Sequence, residues 1–383
     1  AIEAMAYAIK VNKNAKLEAK ADEWIAKIAA AQLPDGYLNT YYTLTGLEKR
    51  WSDMSMHEDY NGGHLIEAAV AYYDATGKRT LLNVAIRWAN HFSSLFGPGK
   101  RDWVTGHQEL ELALVKLARV TNDPAYIKLA DWLLSERGKK LAVGYTWTEW
   151  KDTLYTQDQI PVKEQKEITG HAVRAMYMYT GAADVAAHTG DTDYVKAMKR
   201  VWEDVVYRNM YITGGIGSQS SGESFSSDYD LPNDSVYAES CASIGLMMFA
   251  RRMLEMEADS QYADVMERAL YNTVLGGMAL DGKHFFYVNP LEVHPKSLKF
   301  NHIYDHVKPI RQRWFGCACC PPNIARVLTS LGHYIYTPRA DALYINMYVG
   351  NSLEVPVENG ALKLRICGNY PWHEQVKIAI DSV

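Results

Sequence analysis

Along most of the chain apolar residues return every three or four positions, the spacing that makes one face of an α-helix apolar. Leu17 to Gln32 shows this pattern and stops before Pro34-Asp35-Gly36, a turn signal. A unit then recurs. Gly63-His64-Leu65-Ile66-Glu67-Ala68 predicts a helix ending at Thr76-Gly77. Gly106-His107-Gln108-Glu109 predicts one ending near Thr121-Asn122-Asp123, and Gly170-His171-Ala172-Val173 one ending at Thr189-Gly190-Asp191. Each is followed by a second amphipathic helix: Leu81 to Phe96, Ala125 to Arg137, and Tyr194 to Asn209. A fourth pair fits Ala238 to Met256 with Tyr262 to Val274. A fifth helix starts at Pro321-Pro322-Asn323, where proline in the first turn is favoured.

The step from His64 to His107 is 43 residues and that from His107 to His171 is 64. The extra length holds Tyr145-Thr146-Trp147, predicted as a hairpin or loop insertion. Helical hairpins repeating in this way close into an α/α toroid or stack as a solenoid. In a toroid one end of every inner helix faces a common pocket, so the Gly-His starts would converge. In a solenoid they would form a line. The irregular repeat lengths and long loops favour the toroid.

From about Arg339 the period falls to two. Ala342 to Val349, Leu353 to Val355, Leu362 to Ile366 and Val376 to Ile380 read as strands, with Gly350-Asn351 and Asn359-Gly360 as turns. The predicted fold is mainly α: a helical domain over 1–338 with a truncated N-terminus, then the start of a β-sandwich domain over 339–383. That segment is expected to be incomplete, because it is short for a sandwich. Ala1 opens inside a helix-like pattern and Val383 closes a strand-like run, so both ends are expected to be fragment boundaries.

Composition narrows the partners. The 383 residues carry 40 Lys+Arg against 45 Asp+Glu, a net charge of −5, which gives no electrostatic case for nucleic acid or an anionic membrane. Hydrophobic residues at 48% and charged ones at 22% suit a globular chain with a large core. The longest apolar run is of the Ile244 to Ala250 kind, far short of a membrane span. No secretory signal opens the chain. Tyr, at 26, heavily outnumbers Phe, at 8, and there are 10 Trp. Rings with a polar atom line grooves that are apolar on one face and wet on the other, a surface that suits sugars.

Five cysteines, an odd number, argue against a disulfide framework. Three fall in Cys317-Ala318-Cys319-Cys320, and clustered reduced thiols suggest a soft metal or a reactive thiolate. Glu239-Ser240-Cys241 at one helix start and Cys319-Cys320 just before another offer one carboxylate and three thiolates, a ligand set for zinc. On spacing alone Cys317 can replace one of the thiols, and a purely structural zinc remains an alternative. Glu223 lies in the Gly/Ser-rich stretch from Gly214 to Phe225, a loop long enough to be functional, and a carboxyl held near a pocket serves as a general acid when its pKa is raised. His64, His107 and His171 occupy equivalent repeat positions and suit sugar hydroxyls, since neutral imidazole both donates and accepts. Glu267, within a predicted helix, and Tyr287, in a predicted strand from Phe285 to Pro290, are weaker candidates.

These residues carry a resemblance. Tyr229-Asp230-Leu231-Pro232-Asn233, then Tyr237-Ala238-Glu239-Ser240-Cys241-Ala242, then Trp314-Phe315-Gly316-Cys317-Ala318-Cys319-Cys320-Pro321-Pro322-Asn323 resemble glycoside hydrolase family 127, the β-L-arabinofuranosidases. Gln32 to Leu38, Gly63-His64-Leu65, Gly170 to Ala175 and Asn289-Pro290-Leu291 support it. The resemblance implies an (α/α)6 catalytic domain, the six-hairpin toroid of glycosidases, flanked by β-sandwich domains. It implies a retaining hydrolase with Cys319 as nucleophile and Glu223 as acid/base. Glu239, Cys241, Cys319 and Cys320 would hold zinc, and His64, His107, His171, Glu267 and Tyr287 would line the substrate pocket. The expected partner is a carbohydrate, with no nucleic acid and no membrane; a homodimer stays open, and reduced cysteines favour a bacterial cytoplasm. The rival readings are another helical-toroid sugar enzyme, an epimerase or inverting hydrolase working through the histidines, and a carbohydrate-binding protein with a structural zinc.

Overall fold

The computed structural model describes residues 1–141, 152–317, 319–358 and 360–382. Its helices are α1 (Ile2–Val11), α2 (Ala15–Ala31), α3 (Thr40–Thr45), α4 (Glu58–Thr76), α5 (Thr80–Leu95), α6 (Leu110–Thr121), α7 (Ala125–Glu136), α8 (Ala172–Thr189), α9 (Thr192–Arg208), α10 (Ser240–Met256), α11 (Ser260–Arg268), α12 (Cys320–Thr329) and α13 (Gly332–Ile335). The Tyr145-Thr146-Trp147 insertion lies outside the described residues.

Local chemistry sets the helix ends. The side chains of Asn14, Asp191 and Asp259 accept backbone N–H groups that open α2, α9 and α11. Helices α4 and α8 stop at Gly77 and Gly190, whose φ of +73° and +72° a side chain would strain. The helix predicted over Tyr262 to Val274 is α-helical only to Arg268 and continues as a wider π-helical turn, Ala269–Leu275.

Two kinds of helix are visible in the burial pattern. Helix α8 is buried from Ala172 through Ala186, and α10 is buried along nearly its whole length. Helix α9 buries one stripe, from Tyr194 through Val205, and turns charged residues outward. The first kind is surrounded by neighbours and the second covers it. Packing contacts run α1 to α4, α4 to α6, α6 to α8, α8 to α10, α10 to α12, and α12 back to α1. Among the described residues these six helices form a closed inner ring. Helices α2, α5, α7, α9 and α11 pack outside it on their hairpin partners. This is the (α/α)6 toroid rather than the solenoid.

The chain ends in strands β1 (Tyr336–Pro338), β2 (Leu343–Ile345), β3 (Asn351–Val357), β4 (Gly360–Gly368) and β5 (Val376–Ser382). Strands β1 and β2 form a short antiparallel pair, so the strand expected over Ala342 to Val349 is cut to three residues. Strands β3, β4 and β5 form an antiparallel sheet with Leu353 opposite Leu364 and Ile366 opposite Ile378. Leu364 and Ile366 are buried in the same core as the helices, so the sheet packs onto the helical body. Among the described residues no helix is long and apolar enough to cross a membrane.

Candidate active site

Two helix starts meet at one end of the ring. Glu239 immediately precedes α10 and Cys241 lies in its first turn. Cys319 immediately precedes α12 and Cys320 opens it, with Pro321 and Pro322 setting the first turn. Helix N-termini favour anions, so both elements point groups that can become thiolates or carboxylates at the partial positive charge of the backbone. The segment around Tyr287 clamps this corner. Ser240 N donates to Tyr287 O at 2.9 Å, Ser240 Oγ donates to Phe286 O at 2.8 Å, and Asn289 Nδ2 donates to Ala238 O at 2.9 Å. The strand predicted over Phe285 to Pro290 is therefore extended, but it makes single bridges to Met278, Gln312 and Glu239 instead of a ladder.

Cys319 Sγ lies 3.1 Å from Glu239 Oε1 and 3.0 Å from the Tyr287 hydroxyl. Cys241 Sγ is 3.4 Å from Cys319 Sγ and 3.5 Å from Cys320 Sγ, and Cys319 and Cys320 are 3.7 Å apart. No pair is close enough for a disulfide, and all five cysteines are free. The four ligand atoms of Glu239, Cys241, Cys319 and Cys320 lie within 4.8 Å of one another. A tetrahedron with metal–sulfur bonds of ~2.3 Å has edges of roughly 3.8 Å, so the sulfurs stand close to the corners zinc requires. Glu239 Oε2 is buried without a hydrogen-bond partner, a second sign that the set suits a cation. Cys317 is exposed, whereas Cys241 and Cys320 are buried.

The electrostatics agree. Burial, then the Cys319 and Glu223 charges, push the Glu239 carboxyl well above its ordinary range. Burial, then Cys241 and Cys319, push the Cys320 thiol up. Burial also works against the Cys241 thiolate, but hydrogen bonds from Cys319 and Cys320 outweigh it and bring that thiol to about 7. Four acidic groups so close cannot all ionise unaided, and a divalent cation would take the place of their protons.

Glu223 stands beside this cluster. Its carboxylate, the Glu239 carboxylate and a ring nitrogen of His171 lie within 4.8 Å of one another. Glu223 Oε2 is 3.0 Å from His171 Nε2, and Glu223 Oε1 accepts from the Tyr237 hydroxyl at 2.8 Å. His171 caps α8: its Nδ1 accepts from the N–H groups of Val173 and Arg174 at 3.2 and 3.4 Å. The neutral ring therefore carries its proton on Nε2, facing Glu223. Burial raises the Glu223 carboxyl, but His171 and Tyr237 more than offset this and leave it below the ordinary range, not raised as expected for a general acid.

The three histidines converge. The Tyr60 ring lies 4.4 Å from that of His64 and 4.2 Å from that of His107, and His107 is 5.8 Å from His171. Their local settings differ, because α4 begins at Glu58 and carries His64 inside the helix, whereas His107 precedes α6 and His171 caps α8. A cavity of about 410 Å³ opens beside His64, the one of the three that lines it, with Tyr60, Tyr177, Cys241, Cys319 and Arg326 among its other walls. Glu267 is placed elsewhere. Its carboxylate accepts from Tyr370 at 2.5 Å in a separate cleft between α11 and the strand region. Sequence reading missed Tyr60, Tyr177, Tyr237, Glu109 and Arg326. Tyr60 carried a usable signal, one helical turn before His64 on the same face.

A closed ring of six inner helices, five of them backed by an outer helix, with thiol and carboxylate groups gathered at one end, defines the class: a helical toroid of the six-hairpin kind with a pocket at its mouth. The chain belongs to the β-L-arabinofuranosidase family defined by the GH127 catalytic domain, whose sequence profile matches residues 1–333. It is 40% identical to the non-reducing end β-L-arabinofuranosidase of Bifidobacterium longum subsp. longum, over 99% of this chain and 60% of that protein. It superposes on the crystal structure of Ara127N-Se, a GH127 β-L-arabinofuranosidase from Geobacillus stearothermophilus T6, with a TM-score of 0.94. Identity there is 49%, over 100% of this chain and 62% of that one. The GH127 β-arabinofuranosidase BT3674 matches with a TM-score of 0.89 and 41% identity over 99% and 58%. The chain thus spans about 60% of the length of the curated relative.

Proposed function

We propose that this chain is a retaining glycoside hydrolase that releases L-arabinofuranose from β-linked arabinofuranosides, with Cys319 as nucleophile and Glu223 as acid/base. The observation that carries the reading is that Glu239 adjoins both Cys319, which lines the cavity, and Glu223. The named activities of the similar proteins supply the sugar. Zinc bound by Glu239, Cys241, Cys319 and Cys320 would keep the sulfurs as thiolates at neutral pH.

The chemistry then belongs to the side chains. Cys319 Sγ attacks the anomeric carbon as the bond to the leaving oxygen breaks, and Glu223 gives that oxygen its proton. A sulfur–carbon bond now joins sugar to enzyme. Glu223, as carboxylate, takes a proton from water, the water oxygen attacks the same carbon, and the bonding pair returns to Cys319 sulfur. Tyr237 and His171 hold Glu223 at its two oxygens through both steps. Two inversions at one carbon give net retention.

The test is hydrolysis of a chromogenic β-L-arabinofuranoside, with the first-formed sugar anomer read by proton NMR. The β anomer is expected first, and Cys319→Ser is expected to abolish turnover. An α product, or wild-type turnover in that variant, overturns the reading.

A further inference from the structure

The cavity holds a second carboxylate–histidine pair that the reaction above does not use. Glu109 is fully buried just before α6, and its Oε1 lies 3.0 Å from His64 Nδ1. The approach is close because Gly63 has no side chain: a Cβ there would stand 2.7 Å from Glu109 Cγ. Neither Glu109 oxygen receives an aligned hydrogen bond. The only other cation in ion-pair reach among the described residues is Arg326, 3.5 Å away, and it is shared with Glu3 at 3.2 Å and Glu67 at 3.7 Å. Lys116 is taken by Glu67 at 2.6 Å. Glu109 is therefore a buried carboxylate with one-third of a guanidinium and one imidazole for company.

The Glu109 oxygen lies 3.0 Å from His64 Nδ1 but off the line of an N–H there; a lone pair that close to a carboxylate is still repelled, which favours the proton on Nδ1. Nε2 is left as the nitrogen available to a ligand in the cavity that His64 lines. The arrangement is the opposite of His171, whose Nδ1 accepts from the backbone and whose Nε2–H faces Glu223. One histidine of the pocket donates and the other accepts.

We infer that Glu109 is a positioning residue that fixes the His64 tautomer, making His64 Nε2 an acceptor for a hydroxyl of the bound sugar. This rests on the proposed function only in taking the ligand to be a sugar. It makes His64 a reader of a hydroxyl that donates, so a deoxy or O-methyl sugar at that position loses the contact.

The test begins with the wild-type chain, its histidines labelled with nitrogen-15 and His64 assigned by comparison with His64→Asn. In the neutral ring a protonated Nδ1 and an unprotonated Nε2 are expected, and a neutral ring with its proton on Nε2 overturns the inference whether or not the chain cleaves sugars. In Glu109→Gln the tautomer preference is expected to weaken, and KM for the chromogenic arabinofuranoside to rise about tenfold with kcat changed little. Unchanged tautomer and unchanged KM in that variant overturn it as well. Should the wild type cleave no arabinofuranoside, the activity proposal fails by itself, and the nitrogen signals still decide the role of Glu109.

Discussion

Glu3 and Arg326, 323 positions apart in the chain, meet at 3.2 Å inside the helical ring. Glu3 belongs to the first inner helix and Arg326 to the last, so this ion pair ties the ring shut. Arg326 also donates to Asn323 Oδ1 at 2.6 Å and to the Tyr177 hydroxyl at 2.8 Å, which couples closure of the ring to the wall of the pocket. Replacing Arg326 by Met leaves three buried carboxylates with less compensation. A loss of about 3–5 kcal/mol is expected in urea unfolding, the usual cost of breaking a buried pair from one side.

Tyr237→Phe removes one hydroxyl, the donor to Glu223 Oε1 at 2.8 Å, and no carbon packing. The hydrogen bond is to a charged group and worth about 1.5–3 kcal/mol. Turnover of the chromogenic substrate is expected to fall by about tenfold or more while the melting temperature stays near that of the wild type.

The thiol cluster predicts its own occupancy. Metal analysis is expected to find zinc bound, and anomalous scattering at the zinc edge to place the peak among the sulfurs of Cys241, Cys319 and Cys320 and the Glu239 carboxylate. Cys241→Ser is expected to lower zinc content. A zinc peak surrounded by other side chains would displace the whole assignment.

Glu58 and Glu111 each make stability depend on pH. Burial raises each carboxyl to about 7, against hydrogen bonds from Tyr37 and Trp51 to Glu58, and against Arg137 and Thr105 at Glu111. In the unfolded chain both titrate near 4.5, the ordinary glutamate value. Between these values each carboxyl binds more of its proton in the folded state, so the contribution of these two groups to stability falls as pH rises from 4.5 to about 7 and is level above. The melting temperature of Glu111→Gln relative to the wild type is expected to rise with pH across that range, because the amide carries no charge to bury.

Glu267→Gln is expected to leave kcat and KM within about twofold of the wild type, because the Glu267 carboxylate is bound to Tyr370 outside the cavity. A large rise in KM would return Glu267 to the substrate site.

Much of this molecule is written locally. The helix pairs follow from apolar spacing, and Asn14, Asp191, Gly77 and Gly190 mark their ends through hydrogen bonds and dihedrals within a few residues. Glu239, Cys241, Cys319 and Cys320 were legible because each stands at a helix start, where two short motifs announce their chemistry. The rest depends on which surfaces face each other. The contact of α12 with α1 that closes the ring, the sharing of Arg326 among Glu3, Glu67 and Glu109, and the seat of Glu109 under His64 all join residues distant in sequence. Glu267 shows the converse: a helix position was assigned correctly, but its face turned to the strand region and not to the pocket. Periodicity says that a helix has an apolar face. Only packing, which buries those faces together and forces stray charges to find partners, decides what each face meets.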